Sequence, residues 1–204
     1  VAVQTMHNAL VGAGRLKKGE TVLIQGASSG VGLLGMQIAK IMGASVVLGS
    51  STNDGRRARL GEFGCDVAID TRDPKWPDMV KEATGGKGVA VSYDGVGAAS
   101  WQSSLDSMAK RGTLVSFGNA SGPVTGVALR DLATRGSLFV TRPGVYDYYR
   151  DPAEAEAGAA KLWDMIGSGK LTITVGQTYA LTDAAQAHID LEARRTTGST
   201  LLLP

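Results

Sequence analysis

Short apolar runs alternate along the chain with segments whose apolar residues recur at helical spacing. The runs are nearly continuous in apolar character, as in strands that are buried on both faces of a parallel sheet. Six strands are predicted in this way, at residues 21–25, 45–49, 67–70, 89–93, 113–117 and 137–141. Helices are predicted between them at residues 31–42, 54–63, 73–84 and 98–109. Strand–helix alternation with short connections predicts a doubly wound α/β fold, in which helices cover a parallel sheet.

The pattern changes after Arg142. Residues 151–154 (DPAE) have the composition of a helix start, with an acidic N-cap, Pro at the first helical position and Glu two residues later. The predicted elements that follow are a helix to about residue 166, an extended segment at 171–179, a helix at 183–193 and a strand at 200–203. This tail is expected to contribute strands to another part of the protein.

Two parts are therefore expected in the 204 residues. The first is one α/β domain over residues 1–170, in which about the first 15 residues form a linking helix. The second is a C-terminal segment over residues 171–204. The first residue is Val and the opening residues already follow helical spacing, so we expect the chain to begin inside a larger protein.

Composition narrows the class of protein. Apolar residues make up 43% and charged residues 20% of the chain, which are ordinary values for a soluble globular protein and argue against disorder. No apolar run approaches the roughly 20 residues that a membrane-spanning helix needs. No signal peptide is expected at the start, and the expected location is cytoplasmic. The formal charge of +2, with no long basic run, argues against nucleic acid as a partner.

Cysteine and histidine are scarce, whereas glycine is abundant. The single cysteine, Cys65, excludes an intramolecular disulfide. With only His7 and His188 beside it, no metal site is expected, since structural zinc takes four such ligands. We interpret Cys65 as a small buried residue and both histidines as helix-surface groups. The 28 glycines are about twice the usual share and indicate tight turns and close backbone approaches.

The segment QGASSGVGLLG, residues 25–35, connects the first predicted strand to its helix. In a doubly wound fold, backbone N–H groups at this helix start can bind phosphate. Read as Gly26-x-Ser28-x-Gly30, the segment has the spacing of the nucleophile elbow of α/β-hydrolases. However, the only downstream histidine, His188, lies in a predicted helix, and no oxyanion loop is present.

Two further readings of the same loop involve a dinucleotide. The spacing Gly26-x-x-x-Gly30-x-Gly32 is that of short-chain dehydrogenases, but none of the five tyrosines has the required Lys four residues later. The other reading is a dinucleotide fingerprint in which Ala27 and Ser29 replace the first two glycines and Gly32 allows close helix packing. A tight turn without any ligand stays an open alternative.

The end of the second strand bears on cofactor choice. A site that prefers NAD has an acid about 20 residues beyond the loop, but residues 49–52 here are Gly-Ser-Ser-Thr. Hydroxyls followed by guanidinium groups suit the 2′-phosphate of NADP. We predict that Arg56 contacts this phosphate, whereas Arg57 and Arg59 form a solvated helix face. Asp54 is interpreted as a residue at the helix N-terminus and not as a ribose ligand.

Five ordered blocks of sequence carry a family resemblance. They are GRLKKGETVLIQGASSGVG at 14–32, YDGVG at 93–97, SFGNASGP at 116–123, TRP at 141–143 and RRTTGSTLLLP at 194–204. Together they resemble the zinc-independent quinone oxidoreductases of the medium-chain dehydrogenase/reductase superfamily, over nearly the whole chain. The resemblance implies a Rossmann domain and an NADPH-dependent reductase of quinones or other conjugated carbonyls, usually a homodimer.

The resemblance also implies roles for individual residues. It places the pyrophosphate over Ser29, Gly30 and Val31, and the 2′-phosphate near Ser51 and Arg56. The other implied cofactor contacts are Gly95 and Val96 beside the nicotinamide path, Phe117, Gly118, Asn119 and Ser121 at the nicotinamide ribose and amide, and Arg194 and Gly198 closing over the cofactor. The implied substrate loop contains Phe139, Thr141 and Arg142. No catalytic acid is assigned, since a proton could come from solvent.

Two departures from the family pattern affect these expectations. Thr71 replaces a Tyr that often lies near the adenosine phosphate, which makes the strength of 2′-phosphate binding an open question. We expect these 204 residues to lack the family's N-terminal catalytic domain, a partly open β-barrel, and the tail from about Leu171 to belong to that domain. Two interpretations without a ligand also stay open. Residues 119–122 can form an ordinary turn, and Asp94 can serve only to stabilise the turn at the strand end.

The predicted function is therefore an NADPH:quinone oxidoreductase, and this chain alone is expected to be incomplete for turnover. An enoyl or alkenal reductase of the same superfamily is the first alternative. A module that binds NADPH without turnover is the second. Pairing of the sheet edge at residues 137–141 is the hypothesis for a homodimer.

Overall fold

The structure is a computed structural model that describes residue 5, residues 8–193 and residues 195–204. Six strands form one parallel sheet in the order β3-β2-β1-β4-β5-β6. These strands are β1 Thr21–Ile24, β2 Val46–Ser50, β3 Val67–Ile69, β4 Val89–Asp94, β5 Met108–Ser116 and β6 Phe139–Thr141. The order reverses between β1 and β4, as in the dinucleotide-binding sheets of the Rossmann fold. The predicted fold class is confirmed.

Helices cover both faces of this sheet. In the described part of the chain the α-helices are α1 Gly30–Ile41, α2 Asp54–Arg57, α3 Trp76–Ala83, α4 Trp101–Asp106, α5 Leu129–Thr134, α6 Pro152–Gly167 and α7 Ala184–Glu192. Within the predicted linking helix, residues Asn8–Ala13 form a π-helix. None of the helices among the described residues is long and apolar enough to span a membrane.

The core consists of two apolar layers, one on each face of the sheet. On one face, strand residues pack with α1 and with the segment before β7; this layer includes Val22, Ile24, Leu34, Met36, Ile38, Val91, Tyr93, Val115 and Leu171. On the other face, the layer includes Leu23, Leu48, Ile69, Trp76, Trp101, Leu105, Leu114 and Leu138. Burial on both faces explains why the strand sequences are almost continuously apolar.

The helix predicted at residues 54–63 divides into α2 and a separate 3-10 helix, Leu60–Phe63. Gly55 and Gly61 lower the helical propensity of the two halves. Gly64 adopts the left-handed conformation, with φ 87°, and ends the second half. The sequence therefore predicted the right stop but not the break inside the helix.

The helix predicted to start at Asp73 starts at Trp76 instead. The Asp73 side chain accepts a hydrogen bond from the Lys75 N–H at 2.8 Å, which is the geometry of an Asx turn and not of a helix N-cap. Pro77, and not the earlier proline, lies in the first helical turn. The helix therefore starts three residues later than predicted, because the Asp73 side chain stabilises a preceding turn.

The helix predicted at residues 98–109 is reduced to α4. Met108 already pairs with Val89 at the start of β4 and β5, so the chain must pass from helix to strand at Ser107. The Ser107 hydroxyl donates to the Ser104 carbonyl at 2.8 Å, which holds the end of α4. Sheet pairing therefore overrides the helical periodicity of this segment.

The tail forms a second, two-stranded parallel sheet from β7, Val175–Ala180, and β8, Ser199–Leu203. Several of its apolar side chains are exposed, including Val175, Leu201 and Leu203. Leu171, in contrast, is buried in the core of the main sheet. The predicted tail strands exist, and the proposed domain boundary after residue 170 stays a prediction.

Two glycines in helices are expected to respond in opposite ways to replacement by alanine. A Cβ at Gly32 in α1 would lie 2.6 Å from Cα of Ala27, so Gly32→Ala should lower the free energy of unfolding by about 1–3 kcal/mol through overpacking. A Cβ at Gly158 in α6 meets nothing within 4 Å, so Gly158→Ala should raise it by about 0.5–1 kcal/mol. Chemical denaturation measures both, and a stable Gly32→Ala protein would contradict the close packing.

Candidate functional site

A cleft of about 550 Å³ lies beyond the carboxyl ends of the strands in the main sheet. Its walls come from the loops after β1 to β5 and from the tail. The lining residues include Gly26, Ser28, Ser29, Gly30, Ser50, Ser51, Thr52, Asn53, Arg56, Thr71, Val96, Ala120, Ser121, Leu191, Thr196, Thr197 and Gly198. Open α/β sheets bind ligands at this edge, next to the point where the strand order reverses.

The loop between β1 and α1 forms one wall of the cleft. Gly26 has a φ of 64°, a left-handed conformation that favours glycine. Ser29 is the N-cap of α1: its hydroxyl accepts from the Gly32 N–H at 3.1 Å and donates to the Gly26 carbonyl at 2.8 Å. The first-turn N–H groups of a helix have no acceptor within the helix, and together with the helix dipole they favour an anion.

The ends of β1 and β2 are joined by hydrogen bonds. The Ala27 N–H donates to the Ser50 carbonyl at 2.8 Å, and the Gly26 N–H donates to the Ser50 hydroxyl at 3.2 Å. The hydroxyls of Ser28 and Ser51 are 3.1 Å apart. These contacts bring the serine hydroxyls of two loops to one side of the cleft.

The helix α2 brings Arg56 to the cleft. The Asn53 side-chain oxygen caps this helix by accepting from the Arg56 N–H at 2.9 Å, and both residues line the cleft. Arg59, in contrast, is 68% exposed and pairs with Glu62 at 3.0 Å. The predicted positions of Arg56 near the cofactor loop and of Arg59 on a solvated face agree with this arrangement.

Arg57 differs from the expectation of a solvated side chain, because its side chain is only 20% exposed. It donates to the Ser51 carbonyl at 3.1 Å and forms ion pairs with Asp54 and Asp70. The prediction for Arg57 was wrong because Asp54, three residues earlier, and Asp70, on the neighbouring strand end, hold the guanidinium against the protein. Arg57 thus fixes the loop that carries Ser51.

Two carboxylates and two guanidinium groups form a charge cluster behind this loop. Hydrogen bonds from Arg72 and Arg57 lower the pKa of Asp54, and hydrogen bonds from the Arg72 side chain and backbone lower the pKa of Asp70 to about 2. Asp54 is the first residue of α2 and does not line the cleft. Its position matches the interpretation of a helix-terminal residue that does not bind ribose.

Asp94 is buried, with 1% exposure, at the end of β4. One carboxylate oxygen accepts from the Val96 and Gly97 N–H groups, at 2.8 and 3.0 Å. The other accepts from the hydroxyls of Ser100 and Ser104, at 2.7 and 2.9 Å. Asp94 therefore structures the loop after β4, as the sequence indicated.

The hydrogen bonds of Asp94 continue to the neighbouring strands. The Gln25 side-chain amide donates to Ser104 Oγ at 3.3 Å, and the Ser50 hydroxyl donates to Gln25 Oε1 at 2.5 Å. All of these side chains are buried. One polar network thus connects the ends of β1, β2 and β4. The loops that follow these three strands form walls of the cleft.

The loops after β4 and β5 lie against each other. A Cβ at Gly118 would lie 2.4 Å from the Gly95 carbonyl oxygen, and one at Gly95 would lie 2.9 Å from the Phe117 ring. The Ser121 N–H donates to the Val96 carbonyl at 2.8 Å. The glycines predicted beside the nicotinamide thus allow a close approach between these two loops.

The segment Asn119–Gly122 is a hydrogen-bonded turn, in which the Gly122 N–H donates to the Asn119 carbonyl at 2.9 Å. Asn119 Oδ1 also accepts from Nη1 of Arg142 at 3.2 Å, and the same nitrogen donates to the Gly118 carbonyl at 3.1 Å. The turn interpretation therefore accounts for the backbone here. Arg142, predicted on the substrate loop, supports the loop after β5.

Seven of the predicted cofactor residues line this cleft: Ser29, Gly30, Ser51, Arg56, Val96, Ser121 and Gly198. Phe117 lines a different cavity of about 220 Å³, with Pro143, Val145 and Tyr148. Phe139 and Thr141 line a third cavity and are not brought to the cleft. Arg194 lies outside the described residues. Val31 lies next to the cleft, in the first turn of α1.

The tail completes the cleft at the glycine loop. Gly198 forms an isolated parallel bridge with Ser29, and a Cβ at Gly30 would lie 2.8 Å from the Gly198 carbonyl oxygen. Thr196 and Thr197 line the cleft beside it. The sequence analysis missed these two threonines, although the family resemblance already placed their neighbours Arg194 and Gly198 over the cofactor.

Potential metal ligands among the described residues do not form a cluster at this site. Within the described residues, no group of three or more His, Cys, Asp or Glu side chains is placed to hold a metal ion. Burial raises the pKa of the Cys65 thiol to about 11, and its Sγ donates to the Val67 carbonyl at 3.2 Å. His188 is exposed on α7, as expected, and His7 lies outside the described residues.

The strand order and the cleft define a Rossmann-type domain, the class of α/β protein that places a dinucleotide at this edge. The family described as zinc-binding dehydrogenase matches residues 30–155. A quinone oxidoreductase of Pseudomonas aeruginosa is 46% identical over 93% of this chain and 58% of its own length. A 2-haloacrylate reductase of a Burkholderia species is 36% identical over 93% of this chain and 57% of its own length.

A solved structure of a quinone oxidoreductase is also similar to this chain. The Escherichia coli quinone oxidoreductase complexed with NADPH has a TM-score of 0.93 and 39% identity, and the match covers 100% of this chain and 63% of that one. The chain belongs to the zinc-binding dehydrogenase family and, within it, to the quinone oxidoreductases of the medium-chain dehydrogenase/reductase superfamily. It spans less than two thirds of the length of these relatives.

Replacement of Asp94 is expected to destabilise the domain strongly. Asp94→Ala leaves two N–H groups and two hydroxyls without their buried acceptor, so we expect a loss of about 3 kcal/mol or more in the free energy of unfolding. Asp94→Asn keeps one acceptor and should lose less. Chemical denaturation measures both changes.

Ser92 on the same strand provides the matched control. Its hydroxyl is fully buried and has no hydrogen-bond partner in the part of the chain that the structure describes. Ser92→Ala should therefore be neutral or stabilising. Similar losses for Asp94→Ala and Ser92→Ala would contradict the specific role of the network.

Proposed function

We propose that the cleft binds NADPH and that the chain is part of an oxidoreductase that transfers hydride to quinones or related conjugated carbonyls. The observation that carries this proposal is the composition of one cleft: the N-terminus of α1, the Ser28 and Ser51 hydroxyls and Arg56 all line it. The names of the relatives, and the NADPH in the Escherichia coli structure, support it.

The residues present fit NADPH better than NADH. The end of β2 presents hydroxyls and Arg56 to the cleft, whereas the nearest acid, Asp54, is held by Arg57 and Arg72. A guanidinium group attracts a 2′-phosphate, and a carboxylate at this place would favour ribose hydroxyls. Thr71, at the place where relatives often have Tyr, also lines the cleft and can donate a hydrogen bond to phosphate.

The predicted roles of the other residues are kept as proposals. Ser29, Gly30 and Val31 would hold the pyrophosphate, with Arg194 contributing from the tail. The path to the nicotinamide would be lined by Gly95, Val96, Phe117, Gly118, Asn119 and Ser121. Bound NADPH would supply the hydride, and the protein would hold the reactants in position and exclude water. Arg142 would act by fixing the loop after β5.

The choice of substrate is proposed from the relatives. The match to quinone oxidoreductases favours a quinone, and the 2-haloacrylate reductase supports a reductase of conjugated double bonds as the alternative. Phe139 and Thr141 stay predicted substrate-loop residues. Independence from zinc, which the sequence resemblance implies, is kept as a proposal. A cytoplasmic location stays an expectation.

Comparison of NADPH and NADH binding tests the cofactor proposal. By titration calorimetry at low and moderate salt, we expect tighter binding of NADPH. Arg56→Ala should weaken NADPH about 10- to 100-fold, the loss of one charge-assisted contact, without changing NADH. Arg59→Ala is the control, since Arg59 is exposed and pairs with Glu62.

Equal affinities for NADPH and NADH in the parent chain would refute the phosphate site. Turnover is tested on a longer protein that also contains the catalytic domain, because this chain alone is expected to be incomplete for turnover. In that protein, NADPH binding without oxidation by a benzoquinone or an enone would support the non-catalytic module. Oxidation by an enone alone would support the enoyl reductase. These outcomes separate the three functions considered.

We also propose a homodimer formed through β6. This strand is at the edge of the sheet and pairs with β5 on one side. Phe139 and Val140 are exposed there, at 60% and 37%. An exposed apolar edge strand favours pairing with another strand.

Sedimentation velocity at micromolar concentration tests the dimer. Val140→Lys puts a charge on the edge and should shift the protein to monomer. Leu129→Lys is the control, because Leu129 is also exposed but lies on α5. A parent chain that sediments as a monomer would contradict the proposal.

A further inference from the structure

A cavity of about 560 Å³ lies at the opposite edge of the main sheet from the cleft. We call it the amino-edge cavity, because residues before β1 and the first parts of β4 and β5 line it. The lining residues are Gly12–Arg15, Lys17, Glu20, Ala90, Val91, Ala109–Thr113, Phe139–Thr141 and Tyr148. This cavity shares no lining residue with the NADPH cleft, although it includes the predicted substrate-loop residues Phe139 and Thr141.

Four cations line the amino-edge cavity: Arg15, Lys17, Lys110 and Arg111. All four are exposed, and none forms an ion pair with a carboxylate among the described residues. Glu20 is the one acid in the lining, and its Oε2 accepts from the Lys17 N–H at 2.8 Å. The lining therefore has an excess of positive charge, whereas the whole chain has a formal charge of only +2.

Two of these cations have an unfavourable backbone conformation. Arg15 and Arg111 have φ values of 51° and 61°, and in the described part of the chain only Ser137 among the other non-glycine residues has a positive φ. A glycine adjoins each arginine, at Gly14 and Gly112, yet the arginine takes the left-handed position. Such strain is costly for residues with a Cβ and clusters at functional sites.

An apolar wall lies beside the cations. Val91, Thr113 and Phe139 are partners in the parallel register, so their side chains leave the same face of the sheet. Phe139 and Tyr148 add two aromatic rings to the lining. The volume falls within the range of small-molecule sites.

We propose that the amino-edge cavity binds a nucleoside di- or triphosphate at a site separate from the NADPH cleft. The cations would contact the phosphates, because guanidinium and ammonium groups bind phosphate oxygens through charge-assisted hydrogen bonds. The aromatic residues would contact the base. All three residues of β6 line this cavity, so a dimer paired through β6 would place a second copy of the chain beside the site.

Arg111→Gly is the variant that tests this site. It removes one cation and also relieves the left-handed strain, since glycine adopts positive φ without a Cβ penalty. We therefore expect ATP affinity to fall about tenfold or more while Tm rises by about 2–4 °C. A residue with a merely structural role would not show a loss of binding together with a gain of stability.

The experiment is a titration of the full chain with ATP and with tripolyphosphate, followed by calorimetry and by amide chemical shifts. Shifts are expected at residues 12–20 and 109–113, with tighter binding of ATP than of tripolyphosphate. Lys110→Gln is a second variant that should weaken both ligands. Arg130→Gln on α5 is the control, and NADPH affinity should be unchanged in Arg111→Gly.

Several outcomes would overturn the proposal. ATP affinity that survives Arg111→Gly but is lost in Arg56→Ala would place the ligand in the NADPH cleft. No binding of either probe at low salt would show that the cations have no phosphate ligand. Tighter binding of a single-stranded RNA oligonucleotide than of ATP would indicate a nucleic-acid surface instead. Failure of NADPH to bind would reject the proposed function without affecting these results.

Discussion

The buried carboxylate of Asp94 is the constraint on which the cleft depends. A charge with 1% exposure is tolerated because four donors surround it. Those donors come from the loop after β4 and from α4, and the network continues through Gln25 to Ser50. A parallel sheet brings strand ends to one edge, but it does not set the spacing of the loops that follow them. The polar network sets that spacing.

The sequence alone was enough to predict the parallel sheet, because its strands are buried on both faces. Runs such as residues 21–24 have no polar face, and this pattern is hard to satisfy outside a covered parallel sheet. The glycine loop was also predictable, since Gly32 must approach Ala27 more closely than any side chain permits. Arg56 was preferred to Arg59, and the structure places Arg56 in the lining of the cleft, whereas its contact with a phosphate stays a proposal.

Other features could not be read from the sequence because they depend on contacts between distant segments. The sequence predicted Arg57 to be a surface residue. In the structure, the pairing of β2 with β3 places Asp70 beside it. The helix α3 starts later than predicted, because the Asp73 side chain forms a local Asx turn and does not cap the helix. The family resemblance named Arg142 as a substrate-loop residue, but the resemblance alone did not contain its bonds to Gly118 and Asn119.

The bridge between Gly198 and Ser29 has a consequence for the order of events during synthesis. Domains fold from the N-terminal side as the chain emerges from the ribosome, so β1, α1 and the following strands can assemble before residues 196–198 exist. The last wall of the cleft is therefore added after the sheet is complete. A nascent chain would therefore have the glycine loop in place before the cleft has its last wall.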